Sequence, residues 1–289
     1  LLIADVDFND ADNIVNAIMD NIMKLSDDEL DTITDSYVLT DTIVMYIEDI
    51  NSEEEILIIP SDINWRNNGN EKGELYNIIK GLTCICEKED IDFDNFDVDL
   101  MVDSILKCTD EDVDLLFKSD IIRLTVDKYL TDLNQDEMIV YQDGTDLNEE
   151  FKYLLKSLIL VFGEDFKFAD LEEIDTNEVM TNVVHLENDI NGNNDEVGTI
   201  INSKILSDTI AMYIKDFAEE DESPIVILSE PVWRDSYIGG VKTAGELRNI
   251  FGALGVMFKN TDYIDLNSLD ANIIKGLNDN DVDEILKSN

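Results

Sequence analysis

The sequence predicts a mainly α-helical fold in which three tandem helical repeat modules, each with a short β-strand or hairpin, form an elongated array. The main observation is a phrase at residues 203–214 that recurs at 36–47 and, as a weaker copy, at 119–130. The copies start 83 and 84 residues apart, and Ser288 stands 85 residues after Ser203, where a fourth copy would begin. A nearly constant period of this length indicates tandem copies of one structural unit. Apolar residues also recur at helical spacing, and no alternation of strands and helices favours a parallel sheet.

The repeat divides the chain into modules at residues 8–92, 93–167 and 168–265. Residues 1–7 are expected to be the tail of a preceding module, and residues 266–289 the start of a further, truncated module. Residues 1–7 also lack the basic start and the small-residue cleavage site of a signal peptide. On this interpretation the chain is a segment of a longer array, and any targeting signal or anchor lies outside it. Neighbouring helical pieces have no Pro-rich or Gly/Ser-rich linkers between them, so stiff junctions are expected.

Each module is predicted to begin with two helical segments. Apolar residues at helical spacing indicate an opening helix, which covers residues 14–23, 100–106 and 273–277 in three copies. A short acidic–apolar phrase occurs in four copies, at residues 29–33, 112–116, 196–200 and 281–285. This phrase lies six or seven residues ahead of the repeated serine, with no proline between them.

The repeated phrase itself is predicted to be a helix with one apolar face. In the first copy that face consists of Val38, Leu39, Ile43, Tyr46, Ile47 and Ile50. The other two copies keep these positions apolar, so the face is expected to pack on a core, with Asp41 and Asp208 on the opposite, solvated side. The repeated phrase and the segment before it can be drawn as one helix of about 22 residues. Alternatively, Ser36 and Ser203 are N-caps that start a new helix, and a break at the serine is the favoured interpretation.

A short apolar run follows the repeated helix in each module, at residues 56–59, 138–141 and 225–228. Its β-branched composition predicts a strand of about four residues. Two modules then contain a tryptophan followed by an arginine, Trp65-Arg66 and Trp233-Arg234, ahead of a polar Gly-rich loop. Such a pair is either a recognition hot spot or a cover over the small core of the module. Its position beside the apolar run favours the core interpretation.

A closing helix completes each module. Its copies are at residues 73–82, 150–158 and 245–254. Its apolar stripe in the first copy is Leu75, Ile78, Ile79 and Leu82, at the spacing of one helix face.

The chain is strongly acidic, with 67 Asp and Glu against 20 Lys and Arg and a formal net charge of −47. A charge of this size and sign disfavours nucleic acids and anionic lipid surfaces as partners. It also repels itself within the compact state, and bound cations, high salt or a basic partner would relieve that repulsion. No run of 18 apolar residues occurs, so the sequence predicts no membrane span in this segment.

Motifs of the common catalytic chemistries are absent from the sequence. His185 is the only histidine, and there is no Gly-rich phosphate loop, Walker lysine motif or Cys-x-x-Cys zinc pair. Paired carboxylates occur everywhere in so acidic a chain, so no particular pair indicates a glycosidase. Cys84 and Cys86 point away from each other on a predicted helix; Cys108 can be paired with either, but reduced thiols are the favoured interpretation. The sequence therefore predicts a protein that is not an enzyme and has no certain cofactor.

Calcium is the one candidate ligand that the acidic pattern suggests. Three stretches place side-chain oxygens at every second position: Asp5, Asp7 and Asn9; Asp90, Asp92 and Asp94; and Asp189, Asn191, Asn193 and Asp195. EF-hand loops use the same spacing for their first three ligands. However, all three stretches lack the glycine at loop position 6, and the first two lack the glutamate at position 12. The hypothesis is therefore irregular Ca²⁺ sites on loops, and the alternative is solvated acidic loops.

The repeated phrases at residues 203–254, and next best at 36–82, resemble tandem modules of very large cell-surface proteins of low-GC Gram-positive bacteria. The middle copy departs from this pattern, because it lacks the tryptophan and the proline. The resemblance implies an extracellular array with a structural or adhesive role. It brings no catalytic residues that can be transferred to this chain.

Two functional hypotheses follow. The first is a non-enzymatic structural or adhesive repeat segment of an extracellular surface protein or filament, stiffened by divalent cations. Its partners would be neighbouring repeats or copies of the same protein. The second is an acidic intracellular interaction protein, such as a nucleic-acid mimic or an inhibitor of a basic partner, and only the net charge of −47 motivates it.

Overall fold

A computed structural model of the chain describes residues 21, 24–54, 56–69, 71–86, 98–142, 144–163, 166–167, 175–192, 194–219, 226–227, 230–265 and 276–288. Within these residues the fold is mainly helical, with one small two-stranded antiparallel sheet, which confirms the predicted helical class. The opening helices predicted at residues 14–23 and 273–277 lie largely outside the described residues. The described residues belong to two compact units, Leu1–Asp132 and Leu133–Asn289.

The helices of the first unit lie in the stretches that the sequence assigns to the first two copies. They are α1 (Asp27–Thr34), α2 (Tyr37–Glu54), α3 (Glu74–Cys86), α4 (Val98–Leu106), α5 (Asp110–Leu116) and α6 (Asp120–Gln135), whose last turn reaches into the second unit. In this unit α3 packs against α1, α4 and α5, and α1 also packs against α2.

The second unit contains the rest of the second copy, the third copy and the start of the fourth. Its elements are α7 (Leu147–Phe162), α8 (Thr176–Val184), α9 (Glu196–Asn202), α10 (Lys204–Glu219), β1 (Ser236–Ile238), β2 (Val241–Thr243), α11 (Glu246–Phe258) and α12 (Asp279–Ile285). Here α9 packs against α7, α10 and α11, while α11 also packs against α8 and α12.

Helix breaks occur at the repeated serine, as predicted. Helix α1 ends at Thr34 and α2 begins at Tyr37, and in the third copy only Ser203 separates α9 from α10. The Oγ atoms of Ser36 and Ser203 accept hydrogen bonds from backbone N–H groups three residues later, at 3.4 and 3.1 Å. These are N-cap contacts, which satisfy donors that a helix start leaves without an intrahelical acceptor.

The tryptophans cover small cores, which confirms the preferred interpretation. In the first unit Trp65, Ile43 and Ile47 pack against a cluster formed by Leu30, Leu75 and Ile79. In the second unit Trp233, Ile210, Ile214 and Phe251 pack against Val197, Ile201 and Leu247. A separate cluster of Val184, Phe258 and Ile264 lies between α8 and the end of α11. Each of the two cores that a tryptophan covers is therefore assembled from the acidic–apolar phrase, the repeated helix and the closing helix.

The predicted strands at residues 56–59 and 138–141 are wrong, because both runs are irregular, as are the described residues 226–227 of the third run. Their backbone groups bond side chains instead of a neighbouring strand. Asn51 bonds both the N–H and the carbonyl of Leu57, and Asn134 accepts from the N–H of Tyr141. A β-branched run needs a partner strand, and here asparagine side chains replace it.

The strands that do form lie in the Gly-rich loop of the third copy. Strands β1 and β2 pair antiparallel, with Tyr237 opposite Lys242. The two turn residues, Gly239 and Gly240, have φ values of +60° and +84°, as a type I′ hairpin turn requires. At the corresponding place of the first copy, the described residues form an isolated bridge between Asn68 and Glu71.

The apolar face of the repeated helix is less buried than predicted. The tyrosines Tyr46, Tyr129 and Tyr213 are 60%, 53% and 55% exposed. The prediction of a fully packed face is therefore wrong, because the core reaches only part of it. The prediction that Asp41 and Asp208 are solvated is right for Asp41 and wrong for Asp208, which is half-buried.

Candidate functional site

A buried glutamate lies at the start of every closing helix in the described residues. Glu74 and Glu246 are the first residues of α3 and α11, and Glu150 is the fourth residue of α7. Their exposures are only 4%, 5% and 4%. Burying a carboxylate is costly unless hydrogen-bond donors surround it, so each of these side chains requires specific partners.

The repeated serine and the helix after it supply those partners. Ser119 Oγ donates to Glu74 Oε1 at 2.5 Å, and the backbone N–H groups of Asp120 and Ile121 donate to the same carboxylate at 3.1 and 2.9 Å. The partner serine is itself fully buried. The glutamate of one copy therefore caps the repeated helix of the next copy.

The same arrangement recurs one period later. Ser203 Oγ donates to Glu150 Oε1 at 2.5 Å, and the N–H groups of Lys204 and Ile205 donate at 2.9 and 3.0 Å. A third instance follows at Ser288, whose Oγ donates to Glu246 Oε1 at 2.6 Å. We call each of these glutamate–serine contacts a joint.

The first two joints are electrostatically favourable, because in each a carboxylate lies at the positive end of a helix dipole and accepts hydrogen bonds as an anion. The serine has two roles at once. Its hydroxyl proton goes to the glutamate, while its oxygen accepts from the N–H of Ile122 in the first joint and Leu206 in the second, both at 3.1 Å. The joint thus satisfies the donors of the first turn of α6 and of α10.

A second polar contact accompanies the first two joints. The N–H of Ile58 donates to Thr125 Oγ1 at 3.0 Å, and the N–H of Val140 donates to Thr209 Oγ1 at 2.9 Å. Ile58 and Val140 are the third residues of their apolar runs, and both threonines lie six residues after the joint serine. The hydroxyl of Tyr213 also donates to the carbonyl of Met138 at 3.1 Å. The apolar runs therefore contact the repeated helix of the following copy.

The Trp-Arg turn positions the glutamate in the first and third copies. The carbonyls of Trp65 and Trp233 accept from the residue after the glutamate, at 3.3 and 3.1 Å. The turn lies so close to the helix start that a Cβ at Gly73 or Gly245 would lie 2.3 Å from a backbone carbon of the arginine. Only glycine fits there. In the second copy α7 begins earlier, with Asp146 as its N-cap, and the turn is shorter.

The arginine of this turn holds the repeated helix of its own copy. Arg234 Nε lies 3.2 Å from a carboxylate oxygen of Asp208, and Arg66 pairs with Asp41. The middle copy has Leu124 in place of the aspartate and has no Trp-Arg turn. Both partners are thus missing from the same copy, as expected for two residues that act as a pair.

A buried arginine cluster in the third copy was missed by the sequence analysis. Arg248 is 3% exposed and donates to Asp195 at 2.7 and 2.8 Å, to Asp235 at 2.7 Å and to Asn188 at 2.7 Å. Lys242 lies 3.3 Å from both aspartates. The other copies have Tyr76 or Lys152 at this position, so the repeat contains no signal for it.

The cluster changes the acidity of its two aspartates. Burial raises the pKa of Asp195 and Asp235, but the hydrogen bonds and charge of Arg248, a backbone N–H donor and Lys242 together outweigh it, and the pKa of each carboxyl lies below its ordinary value of 3.8. Asp195 also caps α9 by accepting from Gly198 N at 3.0 Å. These aspartates are therefore structural anions that tie α9 and the hairpin to α11.

The predicted calcium ligands are not brought together in the described part of the chain. Asp5, Asp7, Asn9, Asp90, Asp92, Asp94 and Asn193 lie outside the described residues. Asp189 accepts from the N–H of Asn191 at 3.3 Å, while Asp195 belongs to the arginine cluster. Within the described ranges no group of three or more His, Cys, Asp or Glu side chains could hold a metal ion. Calcium binding at the remaining residues stays a prediction.

An open cleft of about 570 Å³ adjoins the second joint. Its lining includes Lys204, Asp208, Trp233, Arg234 and Asp235. The charges in its wall are largely engaged with one another, since Arg234 pairs with Asp208 and Asp235 with Arg248. Trp233 Nε1 is buried, and no acceptor among the described residues binds it. The wall of the cleft thus carries two positive and two negative side chains.

The remaining singled-out side chains have local roles. His185 Nδ1 lies 2.7 Å from the carbonyl of Thr181 at the end of α8. Cys84, Cys86 and Cys108 are thiols, and Cys108 Sγ lies 3.6 Å from the carbonyl oxygen of Ser104. None of the described helices combines the length and the apolar character needed to cross a membrane.

In comparisons with known proteins, no protein-family model, curated protein or solved structure matches the chain.

Proposed function

We propose that the chain is a non-enzymatic structural segment, in which tandem modules are joined head to tail in an elongated array of an extracellular surface protein or filament. The observation that carries this proposal is the joint, which occurs three times at the period of the sequence repeat. Its partners are neighbouring repeats. Buried, charge-assisted hydrogen bonds between stretches assigned to successive copies support this choice of partner.

The joint suits a load-bearing role because it fixes register. A buried carboxylate that loses its donors is strongly destabilised, so a shifted arrangement of two copies is disfavoured. Apolar packing accompanies it, since α3 packs on α5, α7 on α9 and α11 on α12. A Cβ at Gly81 of α3 would already lie 3.2 Å from the Cα of Leu116 in α5. Close helix contact and a buried ion together resist sliding at the junction.

The acidic surface supports an extended arrangement. With a net charge of −47, modules that stack end to end repel each other less than modules folded into one globule. Divalent cations would screen this charge and stiffen the array. The extracellular assignment rests on the resemblance of the repeated phrases to surface-protein modules, and an adhesive role remains part of the proposal.

Small-angle X-ray scattering of the full chain tests this proposal. The expected profile is that of a rod, with a maximum dimension that far exceeds the diameter of a globule of this mass. Glu150→Gln is expected to loosen one joint, so its scattering profile should show a more flexible chain. Glu149→Gln is the matched control, because it removes the same charge at an exposed neighbouring position. A compact profile of the unmodified chain would contradict the proposed array.

A further inference from the structure

The first turn of α2 is the counterpart of the two helix starts that the joints cap, but it is exposed. Val38 occupies the position of Ile121 and Ile205, two residues after the joint serine. Val38 is 75% exposed, whereas Ile121 is 1% and Ile205 is 5% exposed. Tyr37 and Leu39 beside it are 70% and 48% exposed. An apolar surface that is buried in two copies is therefore open in the first.

The polar groups of this turn also match those that bind a glutamate in the other two copies. In the described residues no acceptor binds the backbone N–H groups of Tyr37 and Val38, whose equivalents donate to a glutamate in the other copies. Ser36 Oγ accepts from Leu39 N, as the capping serines do elsewhere. Thr42, the equivalent of Thr125 and Thr209, is exposed. We call Ser36, Tyr37, Val38, Leu39 and Thr42 together the α2 head.

We propose that the α2 head is a docking surface for a second copy of this chain, which binds through the start of its α11. In this contact Glu246 of the second copy accepts hydrogen bonds from Ser36 Oγ and from the N–H groups of Tyr37 and Val38. The N–H of Ile227, the counterpart of Ile58 and Val140, donates to Thr42 Oγ1. The inference rests on the proposed function, because it extends the joint from neighbouring repeats to separate molecules.

Charge and shape both favour this occupant. The α2 head offers backbone donors at the positive end of an 18-residue helix, which fits a carboxylate. The apolar neighbours Val38 and Leu39 fit the apolar start of a closing helix, as Ile121 and Ile205 do in the other copies. The same pairing of surfaces is present twice in the molecule, at Glu74 and at Glu150.

Helix α12 now contacts α11, and it is the segment that the second molecule replaces. Val282 is 43% exposed, although its counterparts Leu30, Val113 and Val197 are each 1% exposed. Leu286 is 73% exposed, whereas Ile201 at the same position of the third copy is 3% exposed. Leu30 and Val197 are buried by the closing helix of their own copy, and within the described residues α12 has no such helix. Replacing α12 with the start of α1 and α2 of another molecule therefore breaks its contact with α11 but disrupts no second core, whereas opening either of the other two joints also affects the core of the following copy.

The contact is heterologous, since the head of one molecule binds the tail of the next. A head-to-tail dimer still has one open α2 head at one end and one tail that can be bound at the other, so growth does not stop at a dimer. The expected product is a series of head-to-tail oligomers whose length increases with protein concentration.

Sedimentation velocity of the full chain over a range of concentrations tests this inference. A buffer with about 0.5 M sodium chloride reduces the screening length to on the order of 4 Å and suppresses the repulsion between acidic molecules. Val38→Asp blocks the head and is expected to lower the association constant at least about ten-fold, because it places a charge in the docked surface. Val241→Asp is the control, because Val241 is 67% exposed on β2 and is not part of the α2 head. It should change the constant less than about two-fold.

A mixing experiment separates head-to-tail contact from other kinds of association. Val38→Asp molecules keep an intact tail, and Glu246→Gln molecules keep an intact head. Neither should form oligomers alone, whereas an equimolar mixture should give a species that stops at the dimer. If Glu246→Gln does not fold, as judged by circular dichroism, the association constants of Val38→Asp and Val241→Asp are by themselves the test of the docking surface.

Two results would overturn the inference. One is an unmodified chain that stays monomeric at every concentration, and the other is equal weakening by Val38→Asp and Val241→Asp. A monomeric chain with rod-like scattering refutes only the docking surface. A compact scattering profile refutes the proposed function as well, so the two failures are distinguishable.

Discussion

Glu150→Gln tests the joint with almost no change in side-chain shape. The glutamine keeps one carbonyl oxygen but puts an NH₂ group where the second carboxylate oxygen was. That group must face either Lys204 N–H or the pair of donors from Ser203 and Ile205, which lie 2.5–3.0 Å from the carboxylate. A donor then opposes a donor, and the negative charge at the helix start is lost.

The expected loss is worked from these contacts. Hydrogen bonds to a charged group contribute about 1.5–3 kcal/mol each, and at least one of three is lost. The interaction of a carboxylate with the helix dipole adds roughly 0.3–1 kcal/mol. Glu150→Gln should therefore lower the local free energy of unfolding by ~2–4 kcal/mol. Glu149→Gln removes the same charge from an exposed ion pair with Lys152, so its cost should be about 0.5 kcal/mol or less.

Hydrogen exchange measures this loss at the affected residues. The N–H groups of Ile205 and Leu206 exchange when the start of α10 opens, and ~2 kcal/mol corresponds to roughly 30-fold faster exchange. Thermal unfolding followed by circular dichroism gives the change for the whole chain. A double-mutant cycle with Ser203→Ala should give a coupling energy of about 1–2 kcal/mol.

The comparison with Glu149→Gln decides the outcome. Exchange of Ile205 N–H that is equally fast in Glu150→Gln and Glu149→Gln would show that the carboxylate does not hold the start of α10. A coupling energy near zero with Ser203→Ala would lead to the same conclusion.

Further predictions concern the arginine cluster, the close turn and cations. Arg248→Met removes the main cationic partner of Asp195 and Asp235 but leaves Lys242 beside them, and should cost up to ~3 kcal/mol, while exposed Arg123→Met should cost about 0.5 kcal/mol or less in the same thermal unfolding assay. The two aspartates have folded pKa values below 3.8, so the stability that they contribute is complete above the unfolded pKa and is lost as pH falls through the folded pKa. Without Arg248, acid unfolding should therefore begin at a higher pH, as measured by circular dichroism. Gly245→Ala forces a Cβ to within 2.3 Å of the neighbouring backbone and should lower the urea midpoint by an amount equivalent to at least about 2 kcal/mol. Calcium chloride should raise the melting temperature more than sodium chloride of equal ionic strength, and equal shifts would contradict the calcium hypothesis.

Local features of the fold were predictable from the sequence. The helices follow from apolar spacing, which depends on residues within the same segment. The break before α2 and α10 follows from a serine whose side chain competes for the helix start. The interpretation of Trp65 and Trp233 as core covers also needed only their position beside an apolar run. For the helices and their breaks, the deciding interaction lies within a few residues.

Other features depend on contacts distant in sequence. The run at residues 56–59 has strand composition, but Asn51 and Thr125 take up its backbone groups, and neither residue is part of the run. Arg248 has no equivalent in the other copies, so repetition could not reveal the cluster. The joint did leave a signal: every closing helix keeps a glutamate near its start, and every copy keeps the serine. Among 67 acidic residues that constancy is hard to recognise without the fold.

Because the glutamate and the helix that it caps belong to different copies, the effect of local unfolding at a joint depends on which of the two helices unfolds. When a closing helix unfolds, the next copy toward the C-terminus loses the carboxylate that accepts from the serine hydroxyl and two backbone N–H groups. Its repeated helix then unfolds from its N-terminal end. When the repeated helix melts instead, the copy before it keeps its glutamate, which water can then hydrate. The spacing from glutamate to serine is 45, 53 and 42 residues in the three joints, so the intervening chain has changed length without disturbing either end. Insertions between the two partners should therefore be tolerated, whereas a duplication that separates a serine from the preceding closing helix should leave a weak point that opens first.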